Sequence, residues 1–179
     1  MSKLSSACYA LRNIRSLLSQ VTLKITYYAS IHSLISYGII CWGNSAHAKK
    51  VFIIQKKKYS YYNKFQNNRF IKLQIMTLYS QYINSLMVHT INNTHLYIHN
   101  SEIHSHETRY KNDLHLPITN SKKYIEGPYF PAIKTYNHLP EYIKIHKTDP
   151  INFKRSLKSF LCQQPFYSMQ EYFNSKEDY

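Results

Sequence analysis

Lys49, Lys50, Lys56 and Lys57 are the first residues whose type and spacing bear on chemistry. At about 100° per residue they fall, with Lys64, on one side of a helix, while Val51, Ile54, Lys58 and Tyr62 fall on the other. A cationic stripe of this kind suits a phosphate backbone, because each neutralised phosphate releases condensed counterions. The competing role for such a stripe is a plain solvated helix face. A second basic set, Lys154, Arg155 and Lys158, opposes an apolar face of Phe153, Leu157, Phe160 and Leu161.

The remaining reactive residue types form no catalytic constellation. His95, His99, His104, His106 and His115 crowd a segment rich in Asn and Ser, and imidazole is a common metal ligand. Their spacing matches no helix-based zinc motif and no paired cysteines accompany them, so neither a metal site nor a cofactor is expected. The aspartates, Asp113, Asp149 and Asp178, stand singly, and no nucleophile-elbow sequence appears. Cys8, Cys41 and Cys162 are odd in number and widely spaced, which fits buried thiols in a reducing, intracellular compartment.

The elements that carry these residues read as mainly helical. Leu4, Cys8, Leu11, Ile14 and Leu18 line one side of a first helix over about Ser2–Leu18, with Arg12 and Arg15 off that face. Basic residues scattered through this segment, and no continuous apolar core, argue against a secretory signal. Leu23, Tyr27, Ile31, Leu34, Ile35 and Gly38 predict a second helix over Gln20–Ile40 with Ser19 as N-cap. Trp42, Gly43 and Asn44 end it, Gly43 and Asn44 supplying left-handed backbone angles. Lys24, His32, Ser33 and Ser36 interrupt the run, leaving it far short of the roughly 20 apolar residues a membrane span needs. The basic helix follows over Ser45–Tyr62, then a polar loop at Asn63–Arg69 and a fourth helix to about Ile91.

The second half is expected to be looser. Asn93–His115 reads as an extended loop, so the chain divides into a helical region over 1–92 and a loop-rich region over 93–179. Leu114–Ile118 and Lys122–Ile125 suggest a short hairpin around Asn120 and Ser121. Ala132–Leu139 reads as a short helix stopped by Pro140, which opens another turn to Ile145. Asp149 and Pro150 form an N-cap and first helical position, and Pro165 stops the helix they start. Ser168 and Glu171 make a capping box for a last short helix.

Composition bounds the partners. The chain has 179 residues, 44% hydrophobic and 15% aromatic, which is enough for a packed core. A net charge of +14 points to polyanions, nucleic acid before an acidic membrane surface. Most of the 23 cations are Lys, with Arg only at positions 12, 15, 69, 109 and 155. Lys, Asn, Ile and Tyr share A- and T-rich codons, so base composition is a second source of the charge. Three glycines leave little room for a phosphate-cradling loop.

Several segments, in order, resemble the C-terminal part of a reverse transcriptase from a jockey-type non-LTR retrotransposon. Ala7–Ser45 is similar to the stretch after the palm, with Tyr37, Gly38, Trp42, Gly43 and Asn44 matching its closing turn. Val51–Lys58 and Leu73–Ile83 resemble two further segments, and His104–Pro117 keeps Thr108 and Arg109 of another. Ala132–Pro140 keeps Lys134, Tyr136, Asn137, Leu139 and Pro140, and Phe153–Phe173 is similar to the closing helices. The chain departs from the pattern at Tyr79, Glu107 and Ala132 and over Lys58–Ser60.

The resemblance implies a thumb-like helical bundle and post-thumb region without the paired aspartates that hold two metals in the palm. It further implies a non-catalytic, truncated polymerase fragment that meets DNA or RNA through backbone phosphates. The contact candidates are Lys49, Lys50, Lys56, Lys57, Lys154, Arg155 and Lys158, with Arg109 added from its motif. The alternatives are a helical protein-interaction module with unspecified partners and a decayed retroelement relic without function.

Overall fold

The computed structural model describes residues 2–14, 17–60, 74–103 and 110–175, with backbone alone for Ser2, Arg12 and residues 57–60. The described chain is mainly helical, as expected, and its only strand-like pairing is an isolated antiparallel bridge between His99 and Leu114. Contacts divide the chain into two units, Met1–Tyr82 with Cys162–Tyr167, and Ile83–Leu161 with Ser168–Tyr179.

In the first unit, α1 (Ser2–Ile14) is shorter than expected and buries Leu4 and Leu11, while Ile14 is exposed. Ser19 caps α2 (Gln20–Tyr27), its hydroxyl accepting the Thr22 amide at 3.2 Å. The continuous helix expected over Gln20–Ile40 is broken twice. A π-helical turn occupies Tyr28–His32, then come α3 (Ser33–Ser36) and, past Gly38, α4 (Ile39–Trp42). Hydroxyls of Thr26, Ser30, Ser33 and Ser36 donate to carbonyls one turn back, at 2.6–2.8 Å, a pattern that bends helices.

The π turn has a packing consequence. Leu23, Tyr27, Ile31, Ile35 and Ile39 are all buried, one at every fourth position. In a regular α-helix such a stripe would rotate by about 40° per step. The wider π turn reduces that drift and keeps the stripe on the core. Leu34, expected on this face, lies off the stripe and is exposed.

The glycines exchange their expected roles. Gly38, at φ +60°, is the left-handed residue that reverses the chain. Gly43 has ordinary right-handed angles (φ −63°, ψ −20°), and a Cβ there would collide with the Tyr82 ring and lie 2.7 Å from the Ile39 carbonyl. Gly43 is required by close approach and not by backbone conformation.

The basic helix α5 (Ala48–Ser60) packs through Ala48, Val51, Phe52 and Gln55, with Ile54 half-buried. Of the expected apolar side, Val51 is buried and Ile54 half-buried, while the Lys58 side chain and Tyr62 lie outside the described residues; a glutamine joins Val51 and Ile54 on the core face. Gln55 Nε2 donates to the Tyr27 hydroxyl (3.2 Å) and the Met76 carbonyl (3.3 Å), and its Oε1 accepts the Leu78 amide at 2.8 Å. That amide opens α6 (Leu78–Asn92), so Gln55 caps a helix from 23 residues away. Thr77 adds a local cap by accepting the Ser80 amide, and its hydroxyl donates to the Phe166 carbonyl at 2.5 Å.

In the second unit, the segment expected to be an extended loop contains a 3-10 turn (Thr94–Leu96) and α7 (Asn100–Ile103). Its ends pair antiparallel, His115 N–H to the Ile98 carbonyl and Asn100 N–H to the Asp113 carbonyl. The expected hairpin does not form, because Lys122–Glu126 is a helix (α8). At the start of the expected first strand, Leu114 has both its N–H and its C=O taken by the Asn137 side chain, at 2.9 and 2.8 Å. Backbone groups already satisfied in this way need no partner strand.

Beyond α8 lie α9 (Tyr129–His138), α10 (Glu141–Lys144) with a following 3-10 turn, α11 (Pro150–Gln163) and α12 (Met169–Asn174). The two local caps read from the sequence are present. Asp149 Oδ1 accepts the Ile151 and Asn152 amides, and Ser168 accepts the Glu171 amide at 3.0 Å.

Candidate nucleic-acid interface

Helix α5 positions the first basic cluster. Its buried face centres on Ala48, Val51, Phe52 and Gln55, so at about 100° per residue Lys50 points nearly opposite the core. Lys49 and Lys56, two turns apart, lie one above the other about 100° round the helix from Lys50, and all three are exposed. The helix contains no Asp or Glu. Lys56 Nζ sits 5.6 Å above the Tyr167 ring, and Phe52 makes edge contacts with Tyr79 and Tyr167 at 5.3 and 5.9 Å. Lys57 continues the Lys50 line on the backbone, but its side chain lies outside the described residues.

Helix α11 positions the second cluster in the second unit. Phe153, Leu157, Phe160 and Leu161 are buried as expected, and Lys154, Arg155 and Lys158 are exposed on the other side. The Asp149 carboxyl at its N-terminus is held below the usual aspartate range, first by the Asn152 amide it accepts and then by further hydrogen bonds from Ile151 and Asn152. The two clusters belong to different units and each stands by itself. Arg109, with Thr108, His104 and His106, lies outside the described residues.

Residues of the Ala132–Pro140 segment are mostly structural. Tyr136 and Leu139 are buried, and burial pushes the Tyr136 phenol up to about 12, with Asp113 and Glu141 adding to it. Asn137 clamps Leu114, as above, while Lys134 is exposed with its ammonium 5.3 Å from the Phe130 ring centre. Sequence reasoning missed Lys144. It is buried, donating to Asp113 (3.0 Å), Glu141 (3.2 Å) and the Asn137 carbonyl (3.0 Å). The spacing of Glu141 and Lys144 signals a local ion pair; nothing local announces that the ammonium leaves solvent.

The two described aspartates of the second unit are committed to the fold. Asp113 pairs with Lys144 and Asp149 caps α11. A cavity of about 320 Å³ is lined by His138, Glu141, Tyr142 and Ser175 among others. His138 Nε2 and Ser175 Oγ both donate to the Tyr172 carbonyl, at 2.7 and 2.7 Å, so this serine and histidine do not form a nucleophile–base pair. A second cavity of about 450 Å³ holds His99 and Lys147, and His99 Nδ1 lies 3.0 Å from the Asn112 carbonyl.

Among the described residues, no group of three or more His, Cys, Asp or Glu side chains is placed to hold a metal ion. No helix among them is long and apolar enough to cross a membrane. What this geometry offers chemically is exposed cationic helix faces over well-packed cores. Comparisons with protein-family models, with curated proteins and with solved structures give no match to the chain.

Proposed function

We propose that the chain is a non-catalytic binder of nucleic-acid backbones, corresponding to the thumb and post-thumb region of a retrotransposon reverse transcriptase. The observation that carries this reading is the outward face of α5. Lys49, Lys50 and Lys56 are exposed on a helix without a carboxylate, and Gln55 locks the roll that keeps them outward. The exposed Lys154, Arg155 and Lys158 of α11 supply a second set of the same kind. Phosphate neutralisation by Lys and Arg carries no sequence information, so binding is indifferent to base order.

The test is duplex binding across a salt series. Log affinity falls linearly with log salt, and replacing Lys50 by Gln lowers the slope by about 1 and weakens random duplexes uniformly. A flat salt response, or an unchanged slope in a triple Lys49/Lys50/Lys56→Gln variant and in a triple Lys154/Arg155/Lys158→Gln variant, refutes the proposal. Exposed Leu17, Val21 and Ile25, at 82%, 70% and 63%, favour a second reading as a protein-interaction module, which salt-insensitive self- or partner association would support.

A further inference from the structure

The second unit carries an aromatic group that phosphate binding does not use. Tyr97 and Tyr129 are stacked in parallel, ring centres 5.1 Å apart at an angle of 3°. Tyr97 is buried, so the stack is rooted in the core and holds Tyr129 in a fixed plane. Tyr124 on α8 approaches Tyr129 at 5.7 Å and Phe130 at 6.4 Å. Tyr124 is exposed and Tyr129 and Phe130 are half-buried, so Tyr124 is the ring of this group most open to solvent, with the other two supporting it from the core side.

The segment that carries these rings is cationic, and Lys134 lies against one of them. Residues 121–140 contain Lys122, Lys123 and Lys134, all exposed, against the single carboxylate of Glu126. Glu126 is 3.9 Å from Lys122, an exposed pair of little strength. Lys123 and Lys134 are therefore available to phosphates, and Lys134 already lies against an aromatic face. Rings held rigid with lysines on the same segment are the combination that unpaired bases recognise: each base stacks on an aromatic face while the backbone follows the cations. A duplex hides its bases, so this surface does not serve it.

From this juxtaposition we infer that Tyr124, Tyr129 and Phe130, with Lys123 and Lys134, form a stacking platform for a single-stranded polynucleotide. The inference rests on the nucleic-acid reading above and deepens it, by adding contacts that distinguish an unpaired strand from a duplex. Stacking is indifferent to base identity, which agrees with sequence-independent binding.

The experiment compares a labelled oligo(dT) with a duplex, using the full chain and the variants Tyr124→Ala, Tyr124→Leu and Tyr124→Phe. Tyr124 is at the surface, so these variants keep the fold, and circular dichroism verifies it. The expected result is a loss of oligo(dT) affinity of about fivefold or more for Tyr124→Ala and Tyr124→Leu, with Tyr124→Phe near wild type. Duplex affinity stays unchanged in all three. Equal oligo(dT) binding by wild type and Tyr124→Ala overturns the platform while steep salt dependence leaves the phosphate reading intact. A parallel loss on the duplex, or a loss in Tyr124→Phe equal to that in Tyr124→Leu, also overturns it. Failure of the wild-type chain to bind either probe at low salt overturns both.

Discussion

Replacing Gln55 by Leu tests the link between the core and the basic face of α5. The side chain is buried and makes three hydrogen bonds, two to backbone groups of Met76 and Leu78. Leucine has similar volume but leaves the buried Leu78 amide and Met76 carbonyl without that partner. Each such loss costs about 1–3 kcal/mol, and the more apolar side chain returns about 1–2 kcal/mol. The two losses together, about 2–6 kcal/mol, less that return leave a destabilisation of about 0–5 kcal/mol, centred on about 2–3 kcal/mol. Trp42, the only tryptophan, lies in the same unit, so urea unfolding followed by its fluorescence reports on the relevant core. With a slope of about 2 kcal/mol/M, that central value lowers the midpoint by about 1 M. Lys50→Gln on the exposed side is the control and shifts stability by no more than about 0.5 kcal/mol. If Gln55→Leu behaves like that control, Gln55 does not set the roll of α5 and the outward placement of its lysines loses its physical basis.

Two further predictions concern stability. Gly43→Ala pushes a methyl into the Tyr82 ring and costs about 1–3 kcal/mol by overpacking. Gly38→Ala meets only Trp42 Cδ1 at 3.9 Å and costs about 1–2 kcal/mol of left-handed strain. A Gly43→Ala variant as stable in urea unfolding as a surface control would show that the Tyr82 ring and the Ile39 carbonyl give way to the methyl. At high pH, burial pushes the Tyr82 and Tyr136 phenols up to about 12, and Tyr172 is raised as well. A phenol raised in the folded state stabilises fully below its ordinary value of about 10, and that stability is lost as pH rises from there through the folded value. Each of the first two rings accounts for about 2–3 kcal/mol over that window. Spectroscopic titration of phenolate absorbance is expected to separate a late class from the ordinary tyrosines, followed by cooperative unfolding; a single early transition without unfolding would contradict the burial.

Much of the local structure is legible from a few residues. Ser19, Asp149 and Ser168 each accept an amide two or three positions on, so the signal and its effect share one turn. The face of α11 is equally plain, since four apolar residues alternate with three cations at helical spacing. Other elements depend on distant partners. Leu114–Ile118 and Lys122–Ile125 have hairpin chemistry, yet Asn137 takes the backbone groups of Leu114. On α5 the polar Gln55 belongs to the core face, because its partners lie at Tyr27, Met76 and Leu78.

By itself, the sequence determined a mainly helical chain, strongly cationic, with lysine clusters on two helices and three helix starts. Those properties follow from periodicity, charge and one-turn capping, which act within a few residues. Tertiary structure alone decided which way α5 faces, that Gly38 and not Gly43 turns left-handed, that Lys144 is buried, and that Tyr97, Tyr124, Tyr129 and Phe130 meet. Each of these depends on side chains far apart in the chain coming into contact, and burial turns a polar atom or a missing methyl from an indifferent feature into a requirement.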